Sequence, residues 1–153
     1  MSEPTATDLR FYAGLCEAYP YEPTRDRFQV VQTQGQGEGL ISLVPFQPGE
    51  IVFVFHGEIL PYQLLSTLQV QPGTYVSDPY VMGKVLHACD PNMSCEIEKR
   101  LFRALKPIQP GDFLTMDYET TEDELYQPFY CSCSASDCRG WVRGRMMREA
   151  SEH

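Results

Sequence analysis

The sequence predicts a small, mostly β domain built of short strands, on three observations. Twelve Pro and eleven Gly fall within 153 residues, so turns are frequent and long helical bundles are disfavoured. Apolar runs such as residues 51–55 are short and rich in β-branched and aromatic side chains, the composition of a half-buried pleated surface. Sustained helical spacing is confined to residues 7–19, where Leu9, Tyr12, Ala13 and Cys16 share one face. The length fits one domain with a true core.

Taken in order, residues 1–6 read as a disordered tip, followed by a short helix over 7–19 with Thr7 as its cap and Pro20 as its stop. Residues 19–27 form a linker with two prolines. Residues 28–33 read as a strand, Gly35, Gly37 and Gly39 as a turn, and 40–44 as a second strand. A turn at 46–49 precedes a strand at 51–55, and 62–68 is expected to hold one or two helical turns. Residues 75–86 fit either class. Residues 95–105 read as a strand pair or one long strand, with Cys95, Ile97, Leu101 and Leu105 on one parity. A turn at 107–111, a strand at 113–116 and an exposed acidic run at 117–124 follow. No internal repeat or low-complexity segment is present.

Twelve Lys and Arg against 21 Asp and Glu give a net charge of −9. That argues against a direct nucleic-acid surface, which needs clustered positive charge, and favours a basic partner. No run approaches the ~18 apolar residues of a membrane span, and no secretory signal precedes the domain. The expected compartment is therefore reducing and cytoplasmic, or nuclear in a eukaryote, and disulfides are not expected there.

Six cysteines occur, at 16, 89, 95, 131, 133 and 138. Cys131, Cys133 and Cys138 are close enough to share one Zn²⁺, which takes four ligands tetrahedrally. The fourth must come from elsewhere; Cys89, Cys95, Cys16, His87 and His56 are candidates. Four thiolates leave no open position for water, so such a zinc is structural. The competing reading is three unpaired surface thiols.

His87-Ala-Cys89-Asp-Pro91-Asn92, then Ile108-Gln-Pro-Gly111-Asp-Phe-Leu-Thr-Met116-Asp117-Tyr118, then Cys131-Ser-Cys133 with Cys138-Arg139-Gly140 stand in that order. Together they resemble the SET-domain protein-lysine methyltransferases, whose patterns are N-H-x-C-x-P-N, I-x-x-G-E-E-L-T-x-D-Y and a post-SET C-x-C-x4-C-R-G. Gly37-Glu38-Gly39-Leu40 is similar to the family's glycine turn, and Pro48-Gly49-Glu50 with Phe55-His56-Gly57-Glu58 to its G-E and Y-x-G-E pair. The resemblance spans about residues 28–141.

It implies the SET-domain fold, with β-clip-like short sheets around a pseudoknot-like crossing that sets residues 117–118 beside 87–92. The division it suggests is 1–27 as flanking helix and linker, 28–118 as SET domain, and 119–153 as zinc-binding post-SET tail. It implies that Cys89 joins Cys131, Cys133 and Cys138 around one structural Zn²⁺. It implies S-adenosylmethionine as methyl donor, with contacts at Gly37, Glu38, Gly39, Leu86, His87 and Tyr118. Trp141 either covers the adenine face or anchors the tail. Tyr118 takes the place of the catalytic tyrosine, and the implied reaction is methylation of a protein lysine.

That chemistry is an in-line displacement by a neutral amine. A Lys side chain with an ordinary pKa near 10.4 must first lose a proton, which an apolar channel favours by desolvation. Alignment and exclusion of water carry the rest. Tyr75, Tyr80, Phe129 and Tyr130 are candidate channel walls. Met116 stands where the family has Phe or Tyr, at the position that limits methyl number. The acidic run 119–124 is expected either to draw in a basic peptide or to be a solvated loop. Leu86 replaces the family's Asn, and Lys84-Val85 replaces Arg-Phe. The Leu86 departure motivates two further readings: a SET-like enzyme turned to a small-molecule reaction, and a catalytically dead, zinc-stabilised binding module.

Overall fold

The computed structural model describes residues 9–35, 37–131, 136 and 138–146; Thr7, Cys133 and His153 fall outside them. Twelve short strands form five small sheets. β1 (Phe28–Gln32) and β2 (Glu38–Ser42) make an antiparallel hairpin. β3 (Ile51–Val54), β8 (Met93–Glu96) and β9 (Leu101–Ala104) form a sheet in the order β3-β9-β8. β4 (Glu58–Leu60), β5 (Thr67–Gln71) and β6 (Thr74–Ser77) form another, ordered β4-β6-β5. β7 (Leu86–His87) runs parallel to β10 (Thr115–Met116), and β11 (Phe129–Tyr130) antiparallel to β12 (Trp141–Val142).

The sheets share one aromatic core. Phe28 meets Phe53 edge-on at 5.3 Å between ring centres, and Phe53 meets Phe102 at 5.0 Å, spacings at which ring quadrupoles attract. Phe46, Leu40, Ile108 and Leu114 are fully buried with them. Tyr12 is also fully buried, and its hydroxyl donates to Asp78 Oδ2 at 2.6 Å. Asp78 in turn accepts from the backbone N–H groups of Tyr80, Val81 and Met82. One buried carboxylate thus fixes the N-terminal segment and the turn that leads into β7.

Four local expectations are corrected. The helix over 7–19 does not continue past Leu9: residues 10–16 form a bridge and turns. Arg10 pairs with Thr24, Arg25 N–H donates to Leu9 O at 2.7 Å, and Gly14 turns at φ +83°. The helical spacing of the apolar residues instead serves to drive Tyr12 into the core. Residues 62–68 hold no helix, because the Thr67 side chain ties off the turn by accepting from Leu64 N–H and donating to Leu64 O, and Thr67 then enters β5. Within 95–105, Arg100 takes the left-handed conformation at φ 56°. The chain therefore folds back as a hairpin that sets Cys95 opposite Phe102, and one parity is not kept. Over 113–116, only Thr115–Met116 is strand.

The largest correction concerns the acidic run at 117–124. Glu119 and Glu122 are buried, and Asp117 and Asp123 are half-buried. A buried carboxylate must be paired or hydrogen-bonded, and each of these four is. Arg139 pairs with Asp117 and Glu119. The second oxygen of Glu119 accepts from the N–H groups of Arg143 and Gly144. Glu122 accepts from Gln69 N–H at 2.7 Å and from Gln63 Nε2 at 3.1 Å. Asp123 accepts from Gln69 Nε2 and Arg145 Nε.

Candidate functional site

The parallel pairing of β7 with β10 builds the site. Leu86 N–H donates to Leu114 O, and Ala88 N–H donates to Met116 O. Asn92 locks the crossing: its N–H donates to Thr115 Oγ1, its Oδ1 accepts from Thr115 N–H, and its Nδ2 donates to Phe113 O at 2.8 Å. Residues 115–118 are thereby held against 86–92.

A cleft of about 940 Å³ opens at this crossing. Its lining draws on the β1–β2 turn (Gly35, Gly37, Glu38), residues 82–87, the 63–68 turn and residues 125–130, together with Met116 and Tyr118. Tyr118 packs edge-on against Phe129, and its hydroxyl donates to Val85 O at 2.7 Å. Burial pushes the phenol pKa up, so it stays neutral. With its hydrogen on Val85 O, the phenol oxygen keeps its lone pairs as acceptors. Two acceptor oxygens therefore stand 2.7 Å apart at the cleft.

Beside the glycine turn, Glu38 pairs with Lys84 at 2.8 Å. A Cβ on Gly39 would lie 3.0 Å from both Leu86 Cδ1 and the Phe113 ring. The missing side chain is what lets β2 pass under Leu86. Leu86 thus offers the cleft an apolar surface where an amide would offer a polar one.

His87 is buried and sits between the cleft and a sulfur corner. Its Nδ1 accepts the Tyr118 N–H at 3.1 Å, so that nitrogen keeps its lone pair. The neutral ring then carries its proton on Nε2, which lies 3.5 Å from Cys89 Sγ. His87, Cys89 and Cys131 present ligand atoms within 4.8 Å of one another, a group that could bind one metal ion. With its proton on Nε2, His87 would donate to the Cys89 sulfur, and the sulfur ligands of the group are Cys89 and Cys131. The Cys89 and Cys131 sulfurs are 3.9 Å apart, close to the ~3.8 Å between two thiolates on one tetrahedral zinc with 2.3 Å bonds. Arg139 N–H points at Cys89 Sγ at 3.4 Å, and Cys138 Sγ lies 3.8 Å from Cys131 O. Zinc therefore fits Cys89 and Cys131, while Cys138, expected as a ligand, is not in the group whose ligand atoms meet.

Among the expected site residues, Gly37, Glu38, Leu86, His87 and Tyr118 line one cleft, and Gly39 lies beneath Leu86. Cys89 and Cys131 meet at the sulfur corner; Cys133 lies outside the described residues. His56 packs against Tyr12 instead, and burial pushes the Cys95 thiol up to about 12, a poor setting for a ligand thiolate. Cys16 lies 3.7 Å from Arg10 Nη2. Trp141 does not line the cleft but packs against Tyr130, which does, at 4.4 Å between ring centres. Of the expected aromatic walls, Phe129 and Tyr130 line the cleft; Tyr75 and Tyr80 do not. Leu64, Leu65, Tyr126 and the Val85 carbonyl were not foreseen. The first three lie in segments without a motif, and a backbone carbonyl leaves no mark in a sequence.

No protein-family model matches the chain. Among curated proteins, it is 28% identical over 153 residues to the histone-lysine N-methyltransferase Set2 of Drosophila melanogaster, covering 79% of this chain and 7% of that protein. It is 31% identical over 94 residues to the methyltransferase flvH of Aspergillus flavus, covering 60% of this chain and 52% of that one. The chain thus spans about half or less of these relatives. Among solved structures, Arabidopsis thaliana SUVH6 in complex with SAM superposes with a TM-score of 0.63 at 17% identity, over 78% of this chain and 34% of that one. KRYPTONITE, solved with mCHH DNA, an H3(1–15) peptide and SAH, gives 0.60 at 19%, over 74% and 29%.

The chain has the SET-domain fold. In it, the His87–Asn92 segment and Tyr118 meet at the crossing, and the SET-domain cleft runs past them. No helix among the described residues is long and apolar enough to cross a membrane.

Proposed function

We propose that this chain transfers the methyl group of S-adenosylmethionine to the side-chain amine of a lysine in a protein, with residues 28–118 as the catalytic core and 119–153 as its tail. The observation that carries this reading is the pair of acceptor oxygens, Tyr118 Oη and Val85 O, at a cleft lined by both the glycine turn and an aromatic segment. The names of the curated relatives and the SAM and SAH of the solved structures support it.

When bound, S-adenosylmethionine supplies an electrophilic methyl on a positive sulfur. Gly37, Glu38, Leu86 and His87 would hold it, with Leu86 packing on it rather than hydrogen bonding. Tyr118 and Val85 orient the reacting groups, because both oxygens attract polarised C–H and N–H hydrogens. Phe129 and Met116 exclude water around the amine and favour its neutral form. One structural Zn²⁺ on Cys89, Cys131, Cys133 and Cys138 would hold the tail. The histone-lysine methyltransferase relatives and the H3 peptide of the KRYPTONITE structure support a protein acceptor. Arg10, Lys84, Arg103, Lys106, Arg139 and Arg145 are each engaged by a carboxylate, which argues against a phosphate-binding face. For a histone acceptor, the working compartment is the nucleus.

The test is transfer of labelled methyl to lysine in proteins, with calorimetry of S-adenosylmethionine binding. Tyr118→Phe is expected to cut kcat by about 10²-fold or more while cofactor affinity stays within a few-fold, the pattern of a lost transition-state interaction. Absence of cofactor binding would sink the reading. Label found only in small amines would move it to a small-molecule acceptor, the alternative that Leu86 motivates.

A further inference from the structure

Resting on the methyl-transfer reading, we propose that the acceptor lysine is carried on an extended protein segment whose neighbouring residues are apolar, and not on a basic tail. The chain's charge of −9 points first toward a basic peptide, but charge steers a partner only where it is uncompensated at the surface. Around the cleft, the acids are already engaged. Asp117 and Glu119 hold Arg139, Asp123 holds Arg145, and Glu38 holds Lys84. Glu122 is buried on Gln69 and Gln63, and burial lifts its carboxyl above the usual range. Glu38 and Glu122 are the two acids among the lining residues, and Lys84 offsets the first. Glu124 is exposed nearby but does not line the cleft.

What the cleft offers instead is apolar. Leu65 is 72% exposed, Tyr130 77% and Tyr126 52%, and all three line it along with Leu64 and Pro128. Such residues scattered singly need no explanation, but gathered on one rim they mark an interaction surface. These residues line the same cleft as Tyr118 and Met116, so a segment that delivers a lysine to Tyr118 passes them. Arg or Lys side chains on that segment would meet leucine and tyrosine, with Glu38 and Glu122, the acids among the lining residues, already engaged, whereas aliphatic or aromatic ones would be buried.

The experiment uses the full chain, labelled S-adenosylmethionine and lysine-centred peptide libraries that vary the flanking residues. Peptides with aliphatic or aromatic flanks are expected to exceed Arg- and Lys-flanked ones by about tenfold in kcat/KM, the scale of one or two buried apolar side chains. The double variant Leu65→Asp/Tyr126→Asp is expected to erase that preference through KM, with its melting temperature unchanged because both side chains are exposed and lie outside the strands. Equal or basic-flank preference, or a double variant that behaves as the parent, overturns the proposal. So does a dimer in light scattering at assay concentration that the double variant dissociates, since the rim would then belong to a second copy. Absence of label in every peptide despite calorimetric cofactor binding would instead overturn the methyl-transfer reading on which this one rests.

Discussion

The sulfur corner and the carboxylate clamp both tie the C-terminal segment to the core, by different chemistry. At the sulfur corner, Cys89 and Cys131 stand 3.9 Å apart, and what would join them is a metal ion, so the strength of that tie would follow metal supply and pH. At the clamp, Asp117 and Glu119, the residues on either side of Tyr118, hold Arg139, Arg143 N–H and Gly144 N–H without any ion. Arg139 belongs to both, since its own N–H points at Cys89 Sγ. A metal there would act on Cys89 and Cys131, while residues 139–146 are held by carboxylates.

The comparison can be broken at either end. Chelation, or Cys89→Ser, has the largest expected effect: metal content falls from about one ion per chain to none, and stability falls on the order of 5 kcal/mol. Limited proteolysis checks the division of labour, with new cuts expected within 127–138 and not beyond 139. Glu119→Ala removes one of the two carboxylates on the half-buried Arg139 guanidinium and an acceptor of the Arg143 and Gly144 N–H groups, and is expected to cost about 3 kcal/mol. Denaturant unfolding measures that cost, and zinc quantification should show the metal retained.

Two smaller effects sharpen the picture of the acidic run. The folded state raises the pKa of Glu122 above its ordinary 4.5, so the charged form costs the fold something. That cost is present above the raised pKa and disappears as pH falls through it. Wild type should therefore gain stability relative to Glu122→Gln as melts are taken from neutral pH down to about 4.5. Arg145→Ala removes a pair whose side chains are 49% and 31% exposed and is expected to cost about 0.5 kcal/mol, measured by the same melts.

Strands were legible where a short β-rich run stands near Gly or Pro, as at Phe28–Gln32 and Ile51–Val54, but not at the two-residue strands Leu86–His87, Phe129–Tyr130 and Trp141–Val142. The candidate site was legible where its chemistry is written in motif side chains, as with Cys89 and Cys131 or His87 and Tyr118, which the fold brings together. The acidic run misled because a sequence shows charge but not its partner: Glu122 meets Gln69, which lies 53 residues away along the chain. Residues 7–19 misled for the same reason, since helical spacing cannot reveal that Arg10 pairs with Thr24.

The packing of Trp141 on Tyr130 has a practical consequence. Trp141 is the sole indole of the chain, it stands on β12 in the C-terminal segment, and its neighbour lines the cleft. Its fluorescence is therefore a label-free reporter of tail docking. Emission should redden when β12 parts from β11 and respond to anything that seats against Tyr130, so metal loss, clamp loss and substrate entry can be followed in one cuvette without modifying the protein.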